Sequence, residues 1–216
     1  MTYLFFKRRH SWQTVFAKFG LISLFFGALT PLPCFAAPPG GPVVEFIQNL
    51  GNEALTSLTA RNLPQDKRSR RVRDLLVKDF DIHAIGRFVL GTHWNEATES
   101  QRQEYFSLFE NMIVQTYTRR FEDYSGQSFV VKGLISPGNG ERNSMVSTVI
   151  VQPDGPPVTA DWRVRDENGT LKVVDVVVDN VSMSITQRAD FNSIMTGGGG
   201  INALLASLRS RTQMVN

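Results

Sequence analysis

The sequence lacks most of the residues on which catalytic and metal sites are built. Its one cysteine, Cys34, stands near the N-terminus, and only two of its three histidines, His83 and His93, lie beyond residue 36. This supply excludes a disulfide framework and a cysteine-ligated zinc site. The chain also has no Gly-x-Ser-x-Gly elbow, no Walker loop and no His-Glu-x-x-His motif. We therefore predict no catalytic residues, no metal site, no cofactor and no enzymatic activity.

Long hydrophobic runs are also missing. The apolar segment Leu21–Leu29 is about half as long as a membrane span, which needs roughly 20 residues. It follows a stretch with four basic and no acidic residues and precedes small residues around Ala36, which is the pattern of a secretory signal peptide. We therefore predict a signal peptide at residues 1–36, cleaved before Ala37, and a single domain at residues 37–216. An uncleaved N-terminal anchor is the alternative.

Positive charge is scarce once the first 36 residues are set aside. These residues hold four of the 23 basic residues and none of the 20 acidic ones, so residues 37–216 carry 19 basic residues against 20 acidic ones. Proteins that bind nucleic acids need clustered cations to neutralise phosphates. The near-neutral balance therefore predicts no nucleic-acid partner.

One basic cluster remains at residues 67–73, where five of the seven residues are lysine or arginine. A run of this kind on a helix is usually a solvated face. The alternative is a docking patch for anionic lipid headgroups or for an acidic partner. The sequence leaves both interpretations open. The basic residues of the cluster are Lys67, Arg68, Arg70, Arg71 and Arg73.

Hydrophobic spacing predicts an α+β domain, with helices before and after a block of strands. Apolar residues recur every three to four positions in residues 43–60, 64–77, 79–91 and 98–124, from 182 to about 194, and again after the glycine run 197–200. Thr98 and Gln101 fit a capping box at the start of the longest helix. Between these helical regions the spacing changes to two, and turns rich in Pro, Gly, Asn and Asp separate four predicted strands. The strands are Ser128–Ile135, Ser144–Val151, Val158–Arg165 and Leu171–Val181.

Large apolar side chains are concentrated on elements that are expected to face each other. The 98–124 helix has a broad aromatic stripe that includes Tyr105 and Phe109, and the third strand adds Trp162. In the fourth strand, alternation places Asp175 and Asp179 on the wetter face. Facing apolar surfaces can fill an ordinary core or close around a cavity, and periodicity alone does not separate the two.

Several segments, taken in their order and spacing, resemble one protein family. They are Phe80–Trp94, Gln101–Phe106, Tyr124–Gly126, Lys172–Met183 and Gln187–Phe191. These segments resemble the periplasmic lipid-carrier component of the Mla pathway, which is also described as the toluene-tolerance auxiliary protein family. The chain departs from the family's pattern at Asp179-Asn180, where the family often has an acidic residue followed by glycine.

The resemblance implies a cone related to nuclear transport factor 2, in which helices wrap a four-stranded antiparallel sheet and hold phospholipid acyl chains. It also implies a soluble periplasmic carrier that shuttles membrane lipid between an inner-membrane ABC transporter complex and an outer-membrane lipoprotein complex. The alternatives are a carrier associated with hopanoid lipids, an envelope adaptor without a lipid cavity, and a small enzyme on the same type of cone.

The expected lipid pocket lies between the helices and the sheet. An acyl chain requires a dry, apolar lining, because each buried methylene contributes about 0.8 kcal/mol. The apolar sides of the opposing helices and strands predict the residues that line this pocket. They are Phe80, Ile85, Tyr105, Phe109, Met112, Val149, Trp162, Val176 and Val178.

Overall fold

The elements follow the predicted order along the chain. The computed structural model describes residues 41–137 and 143–213, so the predicted signal peptide at residues 1–36 lies outside the described residues. The helices are α1 Gly41–Leu58, α2 Gln65–Asp79, α3 Ile82–Leu90, α4 His93–Glu96, α5 Glu99–Glu122, α6 Met183–Thr196 and α7 Gly200–Gln213. The strands are β1 Ser128–Pro137, β2 Asn143–Val151, β3 Val158–Glu167, β4 Thr170–Val178 and β5 Val181–Ser182. The predicted α+β class is confirmed.

The sheet is an antiparallel meander with the strand order β1-β2-β3-β4-β5. A tight turn divides the fourth predicted strand into β4 and β5. The turn residues, Asp179 and Asn180, have φ angles of +46° and +67°. Two successive residues with positive φ match the twist of a hairpin, and asparagine tolerates this conformation without a glycine. The turn sets Val178 opposite Val181 and leads the chain into α6.

The longest helix, α5, begins as the capping box predicts. The backbone N–H of Gln101 donates to Thr98 Oγ1 at 3.3 Å, and the backbone N–H of Thr98 donates to Gln101 Oε1 at 2.9 Å. These bonds satisfy amides that a helix start otherwise leaves without partners. The start of α5 is therefore fixed by local sequence.

The buried apolar side chains form two clusters. The helical cluster joins α2, α3, α5, α6 and α7 around Tyr105, Phe109 and Phe191. The sheet cluster packs α1 against β2, β3 and β4, with Ile47 at its centre and fully buried. Phe80, in the short link between α2 and α3, packs against both clusters. The two clusters thus meet at Phe80.

Candidate functional site

A cavity of about 220 Å³ lies between α3, α5, β4 and α6. Most of its exposed wall is apolar, and Phe80 and Leu76 of α2 complete the wall. The other lining residues are Ile82, Ile85, Val89, Phe109, Met112, Ile113, Thr116, Tyr117, Arg120, Asp175, Val176, Met183, Ser184, Thr186, Gln187 and Asp190.

The cavity wall changes from apolar to polar along α5. Phe109 and Met112 come first along the helix, and Thr116 and Arg120 follow one to two turns later. Phe109 is only 1% exposed, whereas Thr116 and Arg120 are exposed to solvent. A cavity with a buried apolar end and an exposed polar end suits an amphipathic ligand, with its apolar part inward.

Tyr117 also lines the cavity, on α5 between Thr116 and Arg120. Burial raises the pKa of Tyr117, because removal from water penalises the charged phenolate. The hydroxyl therefore stays neutral and can donate or accept a hydrogen bond. Arg120 Cζ lies 5.9 Å from the centroid of the Tyr117 ring, a distance at which the ring attracts the cation. The ring thus helps to hold a positive charge near the opening.

A buried carboxylate fixes the start of α6 against the cavity. Asp175 Oδ1 accepts hydrogen bonds from the backbone N–H groups of Val176 at 3.0 Å and Ser184 at 3.1 Å, and Oδ2 accepts one from Ser182 Oγ at 2.7 Å. A negative charge is favourable at a helix N-terminus. Alternation placed Asp175 on the wetter strand face, but this prediction was wrong, because the start of α6 covers that face and leaves Asp175 only 7% exposed.

Five of the residues predicted for the pocket lie together in the cavity wall. They are Phe80, Ile85, Phe109, Met112 and Val176. They belong to α3, α5, β4 and the link before α3, which are far apart in the sequence. The facing apolar periodicities therefore identified three of the elements that enclose the cavity, α3, α5 and β4.

Tyr105 and Trp162 lie outside this lining. Tyr105 is fully buried in the helical cluster, and its hydroxyl donates to the carbonyl oxygen of Gly86 at 2.9 Å. Trp162 belongs to the sheet cluster, and its Nε1 donates to Thr148 Oγ1 at 2.9 Å. The Trp162 ring contacts Phe80 edge-on, with centroids 6.4 Å apart. Trp162 therefore supports a residue of the wall rather than lining the cavity.

Val149 and Val178 also lie outside the lining. Val178 is the last residue of β4, beyond the part of the strand that faces the cavity. Val149 lies on the face of β2 opposite to the buried Val146 and Thr148, since successive residues of a strand point to opposite sides. This strand carries apolar residues on both faces, so alternation gave no sign of which face is inward.

The contribution of α6 to the cavity was not predicted from the sequence. Met183, Gln187 and Asp190 recur at helical spacing on the side that lines the cavity. Because two of these three side chains are polar, they give no hydrophobic periodicity. The available signal was the spacing itself, combined with the serine that begins α6.

The basic cluster at residues 67–73 is largely engaged within the protein. Arg68 is 6% exposed and donates to the carbonyl oxygens of Leu58 at 3.0 Å and Ala60 at 3.2 Å. The other arginines also have acceptors, which are Asp66 for Arg70, the Ser57 carbonyl oxygen for Arg71, and Glu110 for Arg73. The bonds of Arg68, Arg71 and Arg73 tie α2 to its neighbours, whereas the Arg70–Asp66 pair lies within α2. These bonds favour the structural interpretation of the cluster.

Within residues 41–137 and 143–213, no three His, Cys, Asp or Glu side chains are grouped so that they could hold a metal ion. The cavity lining itself contains two carboxylates, Asp175 and Asp190, and no histidine. In the same described ranges, no helix is both long enough and apolar enough to cross a membrane.

Three comparisons with known proteins agree with this architecture. The family model described as "MlaC protein" matches residues 48–210. The intermembrane phospholipid transport system binding protein MlaC of Haemophilus influenzae is 28% identical over 114 residues, which are 52% of this chain and 53% of that protein. The match thus spans about half the length of that curated relative. The phospholipid-binding protein from Ralstonia solanacearum, solved in complex with a phospholipid, has a TM-score of 0.70 at 20% identity, covering 80% of this chain and 98% of the other.

The structural likeness, at this low identity, concerns the fold alone. The family model has the wider consequence, because its match begins inside α1 and continues into α7. It includes every element that lines the cavity. The chain therefore belongs to the MlaC protein family.

Proposed function

We propose that this protein is a periplasmic carrier that binds a membrane phospholipid in the cavity and shuttles it between the inner and outer membranes. The proposal includes export after removal of residues 1–36, and exchange of lipid with an inner-membrane ABC transporter complex and an outer-membrane lipoprotein complex. The observation that carries it is the cavity with a buried apolar end at Phe109 and an exposed polar end at Arg120. Membership of the MlaC family, together with the phospholipid transport and phospholipid binding of the two relatives, supports phospholipid as the ligand.

The physical task of such a carrier is to keep an acyl chain out of water. At about 0.8 kcal/mol for each methylene, exposing one long chain costs on the order of 10 kcal/mol. The apolar wall formed by Phe80, Ile85 and Phe109 supplies the dry environment. Binding need not exceed the stability of the lipid in a bilayer, because both environments are apolar and the lipid must be released again.

The cavity has to widen to admit a lipid with two long chains. Its volume of about 220 Å³ is below the roughly 300–1,000 Å³ of most small-molecule sites. Met112 of α5 and Met183 of α6 both line the cavity, and unbranched methionine side chains change rotamers at little cost. A carrier needs no catalytic group. Asp175, one of the two carboxylates in the lining, already accepts hydrogen bonds from three donors.

A matched pair of substitutions tests the cavity as the lipid site. Ile85→Asp places a carboxylate in the apolar wall, whereas Ile185→Asp makes the same change at a position on α6 that is 60% exposed and outside the lining. Both variants are purified from cells, and bound lipid is measured by native mass spectrometry and by extraction. Because burying a charge is costly, we expect the Ile85→Asp protein to carry at least about tenfold less phospholipid than the parent. The Ile185→Asp protein should carry as much as the parent.

Met112→Trp provides a second variant, because it fills the cavity without adding charge. Circular dichroism and thermal unfolding establish whether each variant is folded. If folded Ile85→Asp and Met112→Trp proteins carry as much phospholipid as the parent, the cavity is not the lipid site. The identity of the extracted lipid distinguishes a phospholipid carrier from a hopanoid carrier. Lysolipid or free fatty acid that increases with protein concentration would indicate an enzyme instead.

A further inference from the structure

A second concave surface lies on the outer side of α3. It is a groove of about 820 Å³ that is open to solvent. The helix separates it from the cavity, since α3 contributes Ile85 and Val89 to the cavity and Arg87 and Phe88 to the groove. The two surfaces share no lining residue. The groove is therefore a candidate site of its own.

The groove is cationic. Its lining contains three arginines, Arg87, Arg165 and Arg188, against one carboxylate, Asp81. Arg165 Nη1 lies 3.5 Å from Asp81 Oδ2, so these two charges largely offset each other. Arg87 and Arg188 form no ion pair with any residue that the structure describes. Two guanidinium groups are therefore left for an anion from outside.

Aromatic rings hold these two guanidinium groups in place. Arg87 Cζ lies 5.5 Å from the centroid of the Trp94 ring, and Arg188 Cζ lies 5.2 Å from that of Phe88. A Cβ atom at Gly91 would lie 3.0 Å from the Arg188 guanidinium, so the glycine leaves room for this group. Cations held over rings are oriented in advance, and less side-chain entropy is then lost when they bind.

The groove also has an apolar floor of packed rings. The Trp94 and Phe106 centroids are 5.4 Å apart, and those of His83 and Phe106 are 4.4 Å apart. At the edge of this floor, Phe88 is 43% exposed. Tryptophan and arginine are enriched among the residues that dominate binding at protein interfaces. The groove thus combines an apolar floor with two charged donors, which suits a polypeptide better than a bare ion.

We propose that the groove formed by Arg87, Phe88, Trp94 and Arg188 is a docking site for an acidic segment of a partner protein. Two carboxylates of the segment pair with Arg87 and Arg188, because the guanidinium fork matches the geometry of a carboxylate. An intervening apolar side chain of the segment lies against the exposed Phe88. A flat membrane surface reaches a convex patch more readily than the floor of a groove. The inference rests on the proposed function only in that a carrier must meet partner proteins.

The test uses a fluorescently labelled hexaglutamate peptide and measures its binding by anisotropy at low salt and at about 0.15 M salt. The variant Arg87→Glu/Arg188→Glu reverses the two unpaired charges. The control variant Arg61→Glu/Lys67→Glu makes the same change in net charge at two exposed positions outside the groove. We expect the groove variant to bind at least about tenfold more weakly, and the control to stay within about twofold of the parent.

A further variant, Arg87→Lys/Arg188→Lys, keeps both charges and removes the guanidinium forks, and we expect it to bind with intermediate affinity. Equal weakening by the control pair would attribute binding to net charge and overturn the inference. Stronger binding to phosphatidylglycerol vesicles than to the peptide would overturn it in favour of a membrane surface. Loss of bound phospholipid in the Arg87→Glu/Arg188→Glu protein would place the groove within the lipid site, and would also overturn it. If the cavity substitutions leave the bound phospholipid unchanged, the proposed function is contradicted. The hexaglutamate result at the groove is independent of that outcome.

Discussion

The two sides of α3 present opposite chemistry over a helix of nine residues. Toward the cavity, Ile85 and Val89 form a dry wall, and away from it Arg87 and Phe88 face an open cationic groove. The near-neutral charge of residues 37–216 gives no sign of this groove, because the charges that matter are local. If both proposals hold, the width of one helix separates cargo binding from partner recognition. Each can then be changed by substitution with little effect on the other.

The largest effect is expected at Asp175, on the cavity side of this comparison. Asp175→Ala removes the acceptor of three hydrogen bonds and leaves the buried N–H of Ser184 without a partner. Bonds to charged groups contribute about 1.5–3 kcal/mol each, and unpaired buried donors are costly. We expect the free energy of unfolding to fall by about 2–3 kcal/mol, as measured by urea denaturation, and bound phospholipid to be lost, because the first turn of α6 lines the cavity.

Asp175→Asn serves as the control, since its amide oxygen still accepts a hydrogen bond. A smaller loss of stability is expected for it. Both variants keep Arg87 and Trp94 in the groove. We therefore expect the affinity for hexaglutamate to fall by a smaller factor than the amount of bound phospholipid. An Asp175→Ala protein with unchanged unfolding free energy and unchanged lipid content would contradict the role given to this carboxylate.

The cavity wall shows how far sequence reasoning reaches. Tyr105 and Phe109 are one turn apart on the same aromatic stripe of α5, and both are buried. Only Phe109 lines the cavity, whereas Tyr105 packs in the helical cluster and its hydroxyl donates to the carbonyl oxygen of Gly86. Periodicity predicts that a residue points inward. Whether it meets another side chain or an empty volume depends on the elements packed opposite.

The arginines show the same limit on the surface. The basic cluster at 67–73 stands out in the sequence, yet Arg68 is buried. Its guanidinium donates to the carbonyl oxygens of Leu58, the last residue of α1, and of Ala60 just after it. Arg87 and Arg188 are about 100 residues apart in the sequence and come together only because α3 packs against α6. A run of charges is visible in the sequence, whereas a tertiary charge cluster requires the fold.

A smaller effect is expected at Gly91, on the groove side of the comparison. This residue ends α3 with a φ angle of +62° and a ψ angle of −134°, a conformation that glycine adopts readily and that costs a residue with a side chain roughly 1–3 kcal/mol. The new methyl group of Gly91→Ala would also press on the Arg188 guanidinium. We expect a loss of about 2 kcal/mol in unfolding free energy and weaker hexaglutamate binding, with bound phospholipid unchanged. Gly197→Ala is the matched control, because Gly197 ends α6 with a φ angle of −67° and has ordinary space around it.

The smallest effect is expected at Asp79, just before the point where the cavity and the groove adjoin. The next two residues, Phe80 and Asp81, line the cavity and the groove respectively. Asp79 is 5% exposed, and its Oδ2 has no hydrogen-bond partner among the described residues. Burial raises the pKa of Asp79, although Lys78 Nζ at 3.9 Å counteracts the shift. A negative charge is also unfavourable at the last residue of a helix such as α2.

Because the pKa of Asp79 is higher in the folded state, the folded protein holds this proton more tightly than the unfolded chain does. The resulting stability is present at pH values below the unfolded pKa and is lost as the pH rises through the folded pKa. Asp79→Asn removes the charge, so we expect it to increase the free energy of unfolding at pH 7 by up to about 1 kcal/mol. The gain should shrink toward about pH 4, where the parent carboxyl becomes neutral. Asp74→Asn, at an exposed position of the same helix, is the control for the substitution itself. An Asp79→Asn gain of equal size at both pH values would contradict the assignment.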